Sequence, residues 1–229
     1  MTTGFPRFRA VADQAILVEF GTVITDAARA QVRSLDQKLA RHPIAGFREA
    51  VPAYVNLLVV FDALLTDHAA VEHALAALLQ DTDLSSKPGR EHRVDVCYDA
   101  DIAPDLAEVA SRVNLSPDAV IAAHLGQTYH VIMYGFAPGY AYLGGVPPSL
   151  ALPRKPSARR GVAAGSVIIA ASQCLITTLI MPTGWWIIGL SPTPVLLDDP
   201  ARPFLFDVGD TVRFRRISRA QLDAAGRPA

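Results

Sequence analysis

The chain has almost no net charge and few cysteines. Its 229 residues carry a formal net charge of -1, which gives no reason to expect a nucleic acid or an anionic membrane as a partner. Cys97 and Cys174 are the only two cysteines, and they lie far apart in apolar segments. Such spacing favours neither a disulfide framework nor a Cys/His metal site. We therefore expect two buried free thiols and no bound metal.

Charged residues are absent from Gly161 to Leu197. A membrane-spanning helix needs about 20 consecutive apolar residues, but polar side chains and the sequence Pro-Thr-Gly interrupt this stretch every few residues. Short β-branched runs between turns are typical of buried strands instead. The first residues also lack the long apolar core of a secretory signal. We expect a cytoplasmic protein.

The signatures of several enzyme classes are missing as well. The sequence has no P-loop, no GxGxxG between a strand and a helix, no GxSxG and no HExxH. The chain alone therefore has no recognised ATP-binding motif and no evident nucleophile paired with a base.

What is present predicts an α+β protein whose first part is a small α/β sandwich. Hydrophobic residues make up 51% and charged residues 19% of the chain, which is typical of a globular protein. Predicted strands at 15–21 and 53–62 alternate with two helical patterns, and Asp26 is the predicted N-cap of the first helix. A polar segment at 81–92 is typical of a linker and predicts a boundary near Pro88.

The second part of the chain, 89–229, is predicted to be a β-barrel or sandwich. A strand and two helices open it, and the second helix has Ser116 as N-cap and Pro117 at its first position. Short strands separated by Gly/Pro turns follow. The six predicted strands are 129–136, 165–171, 175–181, 185–190, 194–197 and 210–217. The basic run Arg213, Arg215, Arg216 and Arg219 is interpreted as the solvated side of the last strand, with a phosphate site as the alternative.

The stretch GFAPGYAYLGG, residues 135–145, contains four glycines, one proline and no charge. Gly135 and Gly139 would let backbone N–H groups approach a ligand closely, and Pro138 would make the loop rigid. Phe136 and Tyr142, together with a second tyrosine, would exclude water. We interpret the stretch as one wall of a ligand pocket; a purely structural barrel corner is the alternative.

Two arginines further along the chain offer planar donors for a carboxylate or a phosphate. With the aromatic loop, Arg154 and Arg159 predict a pocket for a small anionic molecule; the alternative is a pair of exposed loop arginines. His124 ends a predicted helix, where it could simply interact with the helix dipole.

The order of these motifs resembles the family of the 5-oxoprolinase B subunit, also described as allophanate hydrolase subunit 1 or the kinase inhibitor KipI, with a carboxyltransferase domain of subdomains C and D. The resemblance covers nearly the whole chain. It implies that the barrel is cyclophilin-like, with domains at 1–88 and 89–229. The motifs that carry it are His124, GFAPGYAYLGG, LPR ending at Arg154, Arg159, AAGSV, Gln173, PTGW and VGDTVRF.

The resemblance implies that the chain is one subunit, inactive alone, of an ATP-dependent hydrolase that opens 5-oxoproline to glutamate. ATP would be a co-substrate of the complex. The partners would be a protein like KipA or the C subunit, a protein like the A subunit, and a small anionic substrate. The implied catalytic residues are His124, for proton transfer, and Arg154 and Arg159, for charge. The implied substrate-binding residues are Gly135, Phe136, Pro138, Gly139, Tyr142, Ser166, Gln173 and Trp185.

The chain departs from the family pattern at Ala158, in the segments 162–165 and 171–178, and at two positions that bear directly on the site. Thr183 replaces a glycine, which puts a β-branched residue where we expect a positive φ, and Leu190 replaces an arginine and removes a fixed charge. These departures leave two alternatives. One is a KipI-type inhibitor that binds a sensor histidine kinase, and the other is a component of a related amide-hydrolase or urea-carboxylase-like system with another substrate.

Overall fold

The structure, a computed structural model, describes residues 4–80 and 88–226. These residues form two compact units, and the division falls between Pro88 and Gly89. The linker predicted at 81–92 lies mostly outside the described residues. Among the residues that are described, no helix is long and apolar enough to cross a membrane.

The N-terminal unit is a four-stranded antiparallel sheet packed against two helices. Its strands run in the order β1-β2-β4-β3. Alternate residues of the central strands, such as Val18 and Leu57, are fully buried against Leu35 of the first helix, as the period of two predicts. The elements are β1 (Arg7–Ala12), β2 (Ala15–Glu19), α1 (Asp26–Arg41), β3 (Phe47–Ala53), β4 (Asn56–Phe61) and α2 (His68–Gln80).

The predicted N-cap of α1 is wrong by one residue. Thr25 is the N-cap, because its hydroxyl accepts a hydrogen bond from the backbone N–H of Ala28 at 3.1 Å. Asp26 is instead the first helical residue, where its carboxylate faces the positive end of the helix dipole. Both residue types are good caps, so composition alone does not separate them.

The C-terminal unit is a seven-stranded sheet that is nearly closed into a barrel, with three helices around it. The strand order is β12-β9-β10-β7-β6-β13-β5, and β8 and β11 form a separate pair. The elements are β5 (Glu91–Val96), α3 (Leu106–Arg112), α4 (Pro117–Leu125), β6 (Tyr129–Tyr134), β7 (Ala141–Gly144), β8 (Arg159–Val162), β9 (Ser166–Ala170), β10 (Gln173–Ile176), β11 (Met181–Thr183), β12 (Trp186–Leu190), β13 (Thr211–Arg216) and α5 (Arg219–Ala225).

A backbone bridge joins the two ends of this sheet. The N–H of Cys97 donates to the carbonyl of Leu190 at 2.8 Å, and the N–H of Leu190 donates back at 2.9 Å. Gly189 makes this approach possible, since a Cβ there would lie 2.9 Å from the carbonyl oxygen of Cys97. The predicted α+β fold, with a sandwich followed by a barrel, is confirmed.

Two of the predicted strands are wrong. The segment 175–181 is broken after Ile176, because the hydroxyls of Thr177 and Thr178 donate to the backbone carbonyls of Ala163 and Pro138, each at 2.7 Å. Threonine favours strands by propensity, and here its hydroxyl builds a turn instead. The segment 194–197 holds only an isolated bridge between Leu196 and Phe204.

Other local predictions are confirmed. The Ser116 hydroxyl caps α4 by accepting the N–H of Ala119, and Pro117 is the first helical residue. Cys97 and Cys174 are both buried free thiols.

The basic run is a solvated surface, as predicted. Arg213 and Arg215 of β13 are exposed and pair across the sheet edge with Glu91 and Asp95. Arg219 lies on α5, beyond the strand, and pairs with Asp101.

Candidate functional site

The loop after β6 folds back on itself through three backbone hydrogen bonds. The N–H of Gly135 donates to the carbonyl of Tyr140 at 3.2 Å, so this N–H closes the loop. Gly139 has a φ of +70°, and a Cβ there would lie 2.7 Å from the Leu196 side chain. The carbonyl of Pro138 accepts the Thr178 hydroxyl. The glycines and the proline thus shape the loop, and the N–H of Gly135 is used within it.

Phe136 is the unusual residue of this loop. Its φ is +74°, a region that favours glycine and that costs a bulky residue about 1 kcal/mol or more. Its side chain is nevertheless 73% exposed, so little burial offsets the strain. The ring lies 5.6 Å from that of Tyr140. Strained backbone conformations cluster at active sites and ligand sites, which makes this loop a candidate site.

Phe136 stands at the mouth of a cavity of about 110 Å³, which we call the aromatic pocket. The indole of Trp185 meets the Tyr142 ring edge-on at 5.8 Å. Most of the wall of the aromatic pocket is therefore aromatic and apolar. The residues that define it are Phe136, Tyr140, Tyr142, Arg154, Thr183 and Trp185.

Arg154 supplies the charge of the aromatic pocket. Its guanidinium lies 5.8 Å from the Trp185 ring centroid, and among residues 4–80 and 88–226 no carboxylate forms an ion pair with it. Between Gly135 and Leu197 the chain carries only four charged residues, and all four are basic. A free guanidinium over an aromatic face can bind a planar carboxylate.

A second cavity, of about 240 Å³, contains the other predicted arginine. Arg159 of β8 lines it together with Ser166 and Leu190, so we call it the Arg159 pocket. The Ser166 hydroxyl donates to the carbonyl of Ala163 at 2.8 Å. Six of the predicted site residues therefore lie in two separate cavities of the same unit. Phe136, Tyr142, Arg154 and Trp185 line the aromatic pocket, and Arg159 and Ser166 line the Arg159 pocket.

Leu190 fits its surroundings although the family pattern has arginine there. Its side chain is buried in an apolar cluster with Cys97, Ile217 and Leu222. The replacement therefore leaves an apolar side chain in an apolar setting.

Asp105 is the residue of this region that the sequence analysis missed. It is only 7% exposed, and its carboxylate accepts the Lys155 ammonium at 2.6 Å and the N–H of Ile187 at 2.8 Å. Arg159 lies 3.6 Å away. In sequence, Asp105 stands just before α3 like an ordinary N-cap, but its side chain caps nothing there. No local pattern reveals a partner 50 residues away.

His124 lies inside the barrel and lines neither cavity. It is fully buried, with Nδ1 2.8 Å from the Tyr98 hydroxyl and Nε2 3.6 Å from Cys174 Sγ. The ring also stacks on Phe214 at 4.5 Å. Burial lowers the pKa of His124 to about 3, so the ring is neutral near pH 7. This placement favours a structural histidine at the end of α4 over the predicted proton transfer.

The structure also shows where Gln173 and Thr183 lie. Gln173 is half-buried on β10, where it pairs with Gly144 and Ala170. Thr183 does not have the positive φ that we expected. Its hydroxyl accepts the N–H of Trp185 at 3.1 Å, so the threonine stabilises the turn.

No group of three or more His, Cys, Asp or Glu side chains within the described ranges could hold a metal ion.

The chain is similar to known proteins over nearly its whole length. It is 34% identical to the B subunit of 5-oxoprolinase from Bacillus subtilis, across 93% of this chain and 94% of that protein. The solved structure of TTHA0988 superposes with a TM-score of 0.81 at 34% identity, over 90% of this chain. This chain spans only 41% of TTHA0988.

A more distant likeness concerns the fold alone. The urea amidolyase of Kluyveromyces lactis superposes with a TM-score of 0.71 at 18% identity, over 95% of this chain and 15% of that protein.

The model of the family described as carboxyltransferase domain, subdomain C and D, matches residues 6–206. The chain therefore belongs to the carboxyltransferase domain family, subdomain C and D, the family that includes the B subunit of 5-oxoprolinase.

Proposed function

We propose that this chain is the B subunit of a heteromeric ATP-dependent 5-oxoprolinase, which opens the lactam of 5-oxoproline to give glutamate. The observation that carries the proposal is the aromatic pocket with Arg154, in a chain 34% identical to a 5-oxoprolinase B subunit over 93% of its length. The substrate is a five-membered lactam ring that bears one carboxylate.

The aromatic pocket matches the two halves of this molecule. The lactam ring packs against Tyr142 and Trp185, whose rings stand edge to face. The carboxylate lies against Arg154, whose fork of donors binds carboxylates in a bidentate manner. Lys155 and Arg159 are paired with Asp105. Arg154 forms no ion pair with a carboxylate of the described residues, so its charge favours an anion in the pocket.

The reaction needs more than this chain provides. A lactam is a poor electrophile, so coupling its opening to ATP hydrolysis is chemically reasonable, and the sequence has no recognised ATP motif. We assign ATP use to the assembly with two partners, one like the A subunit and one like KipA or the C subunit. Because the assembly consumes ATP, we place it in the cytoplasm. This chain binds and orients the substrate carboxylate, and water and ATP act from the partner side.

The test is co-expression with these two partner proteins, followed by an assay of ATP-dependent glutamate release from 5-oxoproline. We expect turnover that disappears when this chain is omitted. A stable complex that is inactive on 5-oxoproline would indicate another substrate, such as a different amide. Failure to form any complex would favour the kinase-binding alternative and contradict the proposal.

A further inference from the structure

The carboxylate of Asp105 connects three separate segments of the barrel unit. It accepts the Lys155 ammonium and the N–H of Ile187, on β12, and it lies near Arg159 of β8. Asp105 itself precedes α3. Burying a carboxylate is costly unless it is paired and hydrogen-bonded, so these contacts hold one another in place.

Lys155 connects Asp105 to the aromatic pocket. The side chain of Lys155 is only 12% exposed, and its ammonium lies 2.6 Å from Asp105. Its backbone N–H donates to the carbonyl of Gly184 at 2.7 Å, immediately before Trp185. The chain at residue 155 is therefore fixed at two points, once through its side chain and once through its backbone.

Arg154 is the preceding residue, and its own side chain has much less support. Its guanidinium contacts the face of Trp185 at 5.8 Å and is exposed. The direction from which it enters the pocket is thus set by the backbone that Lys155 holds. The arginine directly precedes Lys155, and the ring beneath it directly follows Gly184, whose carbonyl bonds to Lys155.

We propose that Asp105 is a positioning residue that holds Arg154 over Trp185 through Lys155, and so sets the preference of the aromatic pocket for a carboxylate-bearing lactam. The inference rests on the proposed function, since the ligand is the substrate named there. Asp105 does not line the aromatic pocket. Without its carboxylate, the Lys155 ammonium loses its buried partner and turns to solvent, and the Arg154 backbone moves with it.

Two ligands separate this role from general support of the fold. 5-Oxoproline carries the carboxylate that Arg154 binds, and 2-pyrrolidinone is the same lactam ring without it. A shift of about 1 Å in a binding group is costly, so we expect Asp105→Asn to weaken 5-oxoproline binding about tenfold. We expect the affinity of Asp105→Asn for 2-pyrrolidinone to stay within about twofold of the wild-type value, because the aromatic walls do not depend on Arg154.

The experiment titrates the full chain with each ligand and follows tryptophan fluorescence, since Trp185 lines the pocket. The variants are Asp105→Asn, Arg154→Gln and their combination. If Asp105 acts through Arg154, the double variant binds 5-oxoproline no more weakly than Arg154→Gln alone. Additive losses, or equal losses for both ligands, would mean a structural role only and would overturn the inference.

Changes at Lys155 give an independent measurement if Asp105→Asn folds poorly. We expect Lys155→Met to reproduce the selective loss, and Lys155→Arg, which keeps the cation, to retain most of the affinity. Asp118→Asn is the matched control, because this exposed carboxylate pairs with Arg216 away from both cavities. Equal affinity of the Met and Arg variants for 5-oxoproline would overturn the inference.

Failure of the inference and failure of the proposed function give different results. A wild-type chain that binds neither ligand would reject the aromatic pocket as the substrate site, and the role of Asp105 with it. The role of Asp105 alone would be rejected if the wild-type chain binds 5-oxoproline, Arg154→Gln does not bind it, and Asp105→Asn binds it as well as the wild type.

Discussion

The buried His124 makes the barrel sensitive to acid. Burial lowers its pKa to about 3 in the folded chain, whereas an unfolded chain has a histidine pKa of about 6.5. Between these values the unfolded state binds a proton that the folded state does not. The histidine therefore contributes stability that is present above pH 6.5 and is lost as the pH falls.

The size of this effect follows from the shift. Each pH unit below 6.5 costs about 1.4 kcal/mol, so the barrel loses about 2 kcal/mol between pH 6.5 and pH 5.0 from His124 alone. Asp36 in the N-terminal unit acts in the opposite direction, because burial raises its pKa to about 6. A comparison of two proteins that differ only at His124 removes this second contribution.

The assay is urea unfolding of the wild type and His124→Asn at pH 7.5, 6.5, 5.75 and 5.0. Tryptophan fluorescence follows the barrel unit specifically, since Trp185 and Trp186 are the only two tryptophans. At pH 7.5 we expect the variant to be about 3 kcal/mol less stable, because it loses the ring that packs on Phe214. That difference then shrinks by about 2 kcal/mol between pH 6.5 and pH 5.0.

A stability difference that stays constant from pH 7.5 to pH 5.0 would contradict this prediction. It would mean that His124 accepts a proton as readily in the folded barrel as in the unfolded chain. His73→Gln is the control, because His73 is exposed on α2.

Two further predictions concern the barrel's closure and its last turn. Gly189→Ala places a Cβ 2.6 Å from Val96 Cγ1, so we expect the free energy of unfolding to fall by about 2 kcal/mol. Gly184→Ala is the matched control, because the nearest contact of a Cβ there is at 3.9 Å. Equal stabilities of the two variants in urea would argue against barrel closure at Gly189. The Asp210 carboxylate accepts the N–H of Arg90, the N–H of Asp207 and Nε2 of His92, so Asp210→Ala leaves three donors without their acceptor. We expect a loss of about 3 kcal/mol by the same urea measurement, and a loss below about 0.5 kcal/mol would contradict the assigned role of the carboxylate.

Local sequence rules predicted those parts of the fold that depend on neighbouring residues. Ser116 and Pro117 start α4 as expected, and the short apolar runs between Gly/Pro turns became barrel strands. The rules were wrong where a side chain bonds across the fold. The hydroxyl of Thr178 donates to Pro138, 40 residues away, and this contact breaks a run that strand propensity would continue.

The same limit applies to the candidate site. Aromatic residues and one arginine of the predicted set do meet in one cavity, because they flank adjacent strands and turns. Arg159 lies in another cavity, and His124 lies in the core. Whether a polar residue faces a pocket or the core depends on tertiary packing, which spacing alone does not specify. Asp105 went unnoticed because its partners are Lys155 and Ile187, both distant in sequence.

The proposal that Arg154 binds the carboxylate of 5-oxoproline in an ATP-dependent complex rests on its guanidinium in the aromatic pocket, which forms no ion pair within the described residues. Its most direct test is the steady-state kinetics of the reconstituted complex with Arg154→Gln in this chain. We expect the KM for 5-oxoproline to rise about 100-fold, which corresponds to the loss of a charge-assisted hydrogen-bonded pair, while the KM for ATP is unchanged. An unchanged KM for 5-oxoproline would show that the substrate carboxylate binds elsewhere and not at Arg154.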